Sequence, residues 1–205
     1  NRVIRRVQEN RPKLSIKFGL EADFHPGTEE FVREFLGRHE FDYVIGSVHY
    51  LGDWGFDHPD HQERFQKTDL YEIYRQYFDL VRRMAQTGLY DIVGHPDVIK
   101  KFGYRPDRAY DDLLRVALEA VAKAGMALDV NTSGLRYPCR EIYPSRRMLE
   151  IARELGIPVT LGSDAHRPEH VGADFDKAVA LLKSIGYESI QKYTGRRSEP
   201  VELGK

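Results

Sequence analysis

The sequence predicts an α/β fold built on a parallel sheet that closes into a barrel. Strand-like apolar runs alternate with helix-like runs along the 205 residues, and short turns join most of them. This alternation is typical of parallel sheets, and polar residues at the carboxyl ends of strands favour an α/β barrel. A doubly wound open sheet is the alternative, but the sequence has no Gly-x-Gly-x-x-Gly turn and no phosphate-binding loop.

The predicted elements begin with a helix, because residues 3, 4 and 7 are apolar at helical spacing. Apolar runs predict strands at residues 13–20, 41–48, 90–93, 126–130, 157–161 and 189–193. Helical periodicity and capping residues predict helices after Thr28, from Asp69 to near Gly88, and at residues 110–123, 146–155 and 173–184. A closed barrel of this type needs seven or eight strands. We therefore expect one or two βα units to be missing at the amino end.

Composition limits the possible partners and the compartment. The length fits one domain, residues 1–205, with a core of its own. The net charge of −1 gives no strong electrostatic attraction to nucleic acid or to anionic lipid. No apolar run is long enough to span a membrane. The single cysteine, Cys139, excludes an intramolecular disulfide and a multi-cysteine metal site. We predict a cytoplasmic protein that binds neither nucleic acid nor membrane, and the oligomeric state stays open.

Four of the apolar runs end in residues that ligate metals. If these runs are strands of one parallel sheet, their ends lie at the same edge, and Asp164 and His166 point to the same side because they are two residues apart. Carboxylate and imidazole ligands suit zinc, manganese or iron. The candidate metal ligands are Glu21, His49, His95, Asp164 and His166.

Five short motifs resemble, in order and context, those of the polymerase-and-histidinol-phosphatase (PHP) family. They are Gly19–Asp23, Ile45–His49, Gly94-His95, Asp129–Gly134 and Gly162–His166. Residues 42–51 and 57–61 resemble the histidinol-phosphatase branch rather than the polymerase-associated one. The resemblance implies a distorted seven-stranded barrel that holds three divalent metal ions at the carboxyl ends of its strands.

The resemblance also implies roles for individual residues. Glu21 is expected to bridge two metals, with Asp164 and His166 completing the catalytic set. The family opens with a His-x-His motif on its first strand, and this sequence has no counterpart of it. Either the chain is a piece of a longer protein, which we expect, or it is a degenerate member of the family.

The ligand types and the resemblance together predict a phosphatase. Divalent ions convert a bridging water into hydroxide near neutral pH and bind the phosphoryl oxygens, and we expect L-histidinol phosphate to be hydrolysed to L-histidinol and phosphate. Arg136, in the loop after a strand, is the candidate phosphate-binding cation, with Ser133 beside it. His58 and Trp54 are candidates for recognising the imidazole or amine end of this small phosphate ester. For each of these residues the alternative is a simpler role as a solvated or core side chain.

Two other functions stay open at this stage. The first is a phosphoesterase of the same family that acts on another small phosphate or on nucleic acid ends, although the neutral charge disfavours nucleic acid. The second is a non-catalytic domain stabilised by metal, because the missing motif removes ligands. A covalent phosphoenzyme has no support, since neither a Cys-x5-Arg nor an Asp-x-Asp-x-Thr motif is present.

Overall fold

Helices and strands alternate along the chain, as the sequence predicts. The structure, a computed structural model, describes residues 2–11 and 13–204. The helices are α1 (Arg2–Asn10), α2 (Glu29–Gly37), α3 (Glu63–Lys67), α4 (Leu70–Gln86), α5 (Asp111–Ala124), α6 (Arg146–Glu154) and α7 (Phe175–Ile185). The strands are β1 (Gly19–Asp23), β2 (Tyr43–Ser47), β3 (Tyr50–Leu51), β4 (Trp54–Gly55), β5 (Ile92–Val93), β6 (Ala127–Asn131), β7 (Val159–Gly162), β8 (Ser189–Thr194) and β9 (Arg197–Glu202).

Five of the strands form one parallel sheet in the order β1-β2-β5-β6-β7, which confirms the predicted sheet type. In the described part of the chain, β1 and β7 lie at opposite ends of this order and do not pair with each other. The described residues therefore form an open five-stranded sheet, and the seven-stranded barrel stays a prediction. The carboxyl ends of all five strands share one edge, because the strands are parallel.

The main core lies between one face of this sheet and the helices. Strand residues such as Val44 and Leu128 are fully buried there, and they pack with the apolar side of α4. That side is formed by Ile73, Tyr77, Val81 and Met84, as the helical spacing predicts. Burial of each such side chain contributes about 1.5–3 kcal/mol, so the helical layer holds the sheet rigid beneath its polar edge.

A smaller apolar cluster covers part of the other face of the sheet. Ile92, Ala127 and Tyr193 form it, and the half-buried Tyr43 and Ile45 pack against it. Tyr193 comes from β8, which the sequence predicts as a short final strand. The structure pairs β8 with β9 in an antiparallel hairpin that the sequence analysis missed.

The first strand begins later in the chain than the sequence predicts. The sequence predicts a strand at residues 13–20, whereas β1 runs from Gly19 to Asp23. Its ladder begins at the pair Gly19–Tyr43, because the partner strand β2 starts only at Tyr43. Glu21 and Asp23 consequently lie inside the strand, where the alternation of side chains puts both on the same face.

None of the described helices is long and apolar enough to cross a membrane.

Candidate metal centre

Three predicted ligands meet at the carboxyl edge of three adjacent strands. Glu21 is on β1, His49 follows β2 and His95 follows β5. One ligand atom from each residue lies within 4.8 Å of the other two. The sequence separates these residues by dozens of positions, and the parallel order of the strands brings them together.

Small residues around these ligands make the convergence possible. Ser47 is fully buried, and its hydroxyl donates a hydrogen bond of 2.6 Å to Glu21 Oε1. A Cβ atom at Gly94 would overlap the Ser47 hydroxyl and Ile45, so only glycine fits before His95. His95 itself has a positive φ of 26°, a backbone strain of the kind that clusters at functional sites.

The two histidines differ in how their rings are held. His49 Nδ1 lies 2.6 Å from Asp23 Oδ1, which leaves Nε2 available for a metal. A carboxylate on the second ring nitrogen is the usual support of a metal-binding histidine, because it fixes the tautomer and the ring orientation. His95 is 5% exposed, its Nε2 lies 3.1 Å from Glu21 Oε1, and its Nδ1 is buried without a hydrogen-bond partner among the described residues.

The charges of the cluster are strongly coupled. The hydrogen bond with His95 lowers the pKa of Glu21 to about 2, against the opposing effect of burial. Burial lowers the pKa of His95, but the hydrogen bond and charge of Glu21, together with Asp129 and Asp164, raise that pKa overall. Burial also raises the pKa of Asp129 to about 6. The edge of the sheet is therefore an electronegative site that stabilises positive charge.

The other two predicted ligands lie on the loop that follows β7. A Cβ atom at Gly162 would overlap the Asp129 carboxylate, so glycine is again required, and Asp164 has a positive φ of 46°. Asp164 Oδ2 lies 3.4 Å from the Ser133 hydroxyl. His166 is different, because its side chain is 79% exposed and its Nδ1 lies 3.1 Å from the main-chain oxygen of Asp164.

A cavity of about 390 Å³ connects the two groups of candidate ligands. All five predicted ligands line it, as does Ser133. The remaining lining residues are Asp23, Asp57, Val98, Lys101, Tyr137 and Tyr143. The structure thus brings six sequence-predicted residues to one cavity.

The other predicted substrate-binding residues do not line this cavity. Arg136 Nη2 donates hydrogen bonds of 2.6 Å to the Ser163 main-chain oxygen and 3.3 Å to that of Asp164. Trp54 is buried against Phe65, and its Nε1 donates to the main-chain oxygen of His61. His58 is exposed and accepts a hydrogen bond from the Asp60 amide at the start of a short 3-10 turn. A substrate contact by any of the three stays a prediction.

The sequence analysis assigned no role to several residues that the structure places at the site. Asp23 supports His49, Ser47 binds Glu21, and Asn131 donates a hydrogen bond of 2.8 Å to the buried Asp129. Asp23 was identifiable, because Glu21-x-Asp23 on one strand puts both carboxylates on the same face. Ser47 and Asp129 lie within two of the motifs that resemble the PHP family, but each lies inside an apolar run and not at its end, where the predicted ligands were sought.

The fold and the site together present a candidate metal centre at the carboxyl edge of a parallel α/β sheet. Among known families, the PHP domain matches residues 2–133, and a PHP-associated region matches residues 144–173. The chain belongs to the PHP family, which confirms the resemblance seen in its motifs.

Its relatives carry histidinol-phosphatase names. The chain is 47% identical to a probable histidinol-phosphatase of Deinococcus radiodurans, over 94% of this chain and 73% of that protein. It is 33% identical to the histidinol-phosphatase of Bacillus subtilis, over 82% of this chain and 70% of that protein. The crystal structure of histidinol phosphate phosphatase from Lactococcus lactis, complexed with zinc, L-histidinol and phosphate, superposes with a TM-score of 0.80 at 25% identity. That superposition covers 97% of this chain and 77% of the Lactococcus chain.

Proposed function

We propose that this protein is a metal-dependent phosphatase that hydrolyses L-histidinol phosphate to L-histidinol and phosphate. The observation that carries the proposal is the convergence of Glu21, His49 and His95 at one end of an open cavity. The relatives named histidinol-phosphatase and the Lactococcus complex support the choice of substrate. The proposed reaction belongs to histidine biosynthesis.

The donor set fits divalent metal ions. Two imidazoles and a carboxylate whose ligand atoms lie within 4.8 Å of one another are ligands that zinc accepts, and zinc is present in the Lactococcus relative. In our proposal Glu21, His49 and His95 are the main metal ligands, and Asp164 and His166 are further ligands. Three ions per site, and iron or manganese in place of zinc, are finer predictions of the same proposal. Bound divalent ions supply a water activated for attack and a counter-charge for the phosphoryl oxygens.

The protein residues have separate tasks in this proposal. Glu21, kept ionised by its low pKa, offers its carboxylate at every pH near neutrality. Asp23 holds His49 Nδ1, so that Nε2 would be free to bind a metal. In this proposal the Ser133 hydroxyl donates a hydrogen bond to the phosphate, which is supported by the position of Ser133 in the wall of the cavity. Arg136 fixes the main chain of Ser163 and Asp164 and thereby positions the loop after β7.

Three further expectations complete the proposal. Residues 1–205 act as one catalytic domain, and the enzyme works in the cytoplasm, for which its single cysteine is suitable. The partner is a small phosphate ester rather than nucleic acid or membrane.

The experiment is a comparison of substrates with the zinc-loaded full-length protein. Phosphate release is measured from L-histidinol phosphate, from 4-nitrophenyl phosphate and from a 3′-phosphorylated oligonucleotide. We expect kcat/KM to be highest for L-histidinol phosphate by at least about 100-fold, because a site that recognises an amine and an imidazole discriminates strongly against esters that lack them. Equal rates on all three compounds would mean that the protein is a phosphoesterase whose substrate is a different phosphate ester. No phosphate release from any of the three would mean that the protein is a non-catalytic domain stabilised by metal.

A further inference from the structure

A second group of residues lines the same cavity as the candidate metal ligands. Asp57 follows β4, Lys101 follows the 3-10 turn after β5, and Tyr137 follows the 3-10 turn after β6. Three separate connections at the same edge of the sheet thus contribute one residue each to this second group. The proposed metal chemistry gives none of them a task.

Lys101 ties these connections together. Its Nζ donates a hydrogen bond of 2.9 Å to the main-chain oxygen of Asp57, and it lies 4.5 Å from the centre of the Tyr137 ring. Its own main-chain oxygen accepts a hydrogen bond from the Cys139 amide. The side chain is 14% exposed. The ammonium group is therefore engaged inside the protein, and it fixes the position of Asp57 relative to the cavity.

Asp57 differs from the other carboxylates of the cavity. Ser47 and His95 bind Glu21, His49 binds Asp23, and Ser133 lies next to Asp164. Asp57 Oδ2 has only a long contact of 3.5 Å with Lys101, and Oδ1 has no hydrogen-bond partner among the residues that the structure describes. The side chain is 30% exposed and faces the cavity. A half-buried carboxylate with an unused oxygen is suited to bind a cationic ligand group.

We propose that Asp57 binds the protonated amine of the substrate and that Lys101 is the residue that positions Asp57. The inference rests on the proposed function, because L-histidinol phosphate carries a primary ammonium group close to its phosphate ester. The metal ligands bind the phosphate end, and Asp57 binds the organic end of the same molecule. From the sequence, His58 and Trp54 in the same loop were the candidates for binding the organic end of the substrate.

The first test uses the unmodified protein, so it does not depend on the folding of any variant. The hydrolysis of 4-nitrophenyl phosphate by the zinc-loaded full-length enzyme is inhibited with L-histidinol and with 3-(imidazol-4-yl)propan-1-ol, which lacks the amine. We expect L-histidinol to inhibit about 10- to 100-fold more strongly, the usual effect of one hydrogen bond between charged groups. Equal inhibition constants would mean that the enzyme does not recognise the amine, and they would overturn the proposal.

The second test assigns the recognition to Asp57. In Asp57→Asn the ratio of the two inhibition constants should fall to near one, because the amide keeps the shape of the side chain but loses its charge. Asp53→Asn is the matched control, since Asp53 is exposed in the turn between β3 and β4 and lies outside the cavity. It should keep the ratio of the unmodified enzyme. An undiminished ratio in Asp57→Asn would exclude this residue.

The role of Lys101 is tested with the same ratio. Lys101→Met should weaken inhibition by L-histidinol more than inhibition by the alcohol without the amine, and Lys101→Arg should recover part of the difference. A loss that is equal for both inhibitors would show that Lys101 serves only to stabilise the fold. Phosphate release from L-histidinol phosphate in the same samples separates the two proposals. If the enzyme prefers this substrate but Asp57→Asn keeps the ratio, only the inference fails, whereas no turnover of L-histidinol phosphate removes the proposed function as well.

Discussion

The candidate ligands fall into two groups that the protein holds in different ways. Glu21, His49 and His95 lie at the ends of three adjacent strands and meet within 4.8 Å. Asp164 and His166 lie on the loop after β7, at the other end of the sheet order, and the His166 side chain is 79% exposed. The first group is arranged for a metal by the sheet itself, whereas the second depends on the conformation of one loop.

This difference predicts which residues contribute most to the proposed affinity of the site for metal. Ligands fixed by a packed sheet lose little conformational freedom when they bind, but an exposed histidine must first be ordered. Hydrogen bonds from Ser47 to Glu21 and between His49 and Asp23 add to the fixed geometry of the first group. We therefore expect the strand-end group to dominate metal binding.

The largest effect is expected from His95→Ala. This change removes a buried ligand from the strand-end group, and zinc affinity should fall by more than about 100-fold, beyond the range found for outer-shell partners. Phosphatase activity should be lost together with the metal. Zinc content after dialysis and phosphate release measure both effects. His39→Ala is the control and should keep the zinc, because His39 is exposed and lies two residues after the end of α2.

A smaller effect is expected from Asp23→Asn. The amide keeps the shape of the side chain but no longer accepts a charge-assisted hydrogen bond from His49, so zinc affinity should fall by about 10- to 100-fold. Competition with a zinc-binding dye measures the change. An affinity equal to that of the unmodified protein would show that Asp23 does not support the histidine.

His166→Ala should have a weaker effect on zinc than His95→Ala or Asp23→Asn. The ring is exposed and its Nδ1 lies near a main-chain oxygen, so we expect a loss of about tenfold, the low end of the range for supporting residues. The same dye competition applies. A loss as large as that of His95→Ala would contradict the distinction between the two groups.

The pH dependence of zinc binding gives a further test of the strand-end group. His95 must be neutral to bind a metal, and its pKa in the metal-free protein is raised above 6.5. Affinity should therefore decrease as pH falls, starting above pH 6.5, by up to about tenfold per pH unit for one displaced proton. Glu21, with a pKa of about 2, stays ionised and contributes no slope in this range. A flat affinity between pH 8 and pH 6 would contradict this assignment.

Much of the fold was predictable because it depends on local periodicity. The apolar side of α4 and the parallel strands follow from spacing alone, and strand ends that carry Glu or His indicated the site. Strand β9 was not predictable, because Arg197–Glu202 is exposed throughout and shows no alternation of polar and apolar residues. The Asp57–Lys101 contact was equally hidden, since it joins loops 44 positions apart whose meeting depends on the finished sheet.

The most direct test of the account is a zinc titration of the chelator-stripped full-length protein. Zinc binding and phosphate release from L-histidinol phosphate are followed in the same samples. We expect no activity without metal and activity that rises in step with the zinc bound at the strand-end ligands. Hydrolysis by the metal-free protein, or full zinc binding without hydrolysis of this substrate, would contradict it.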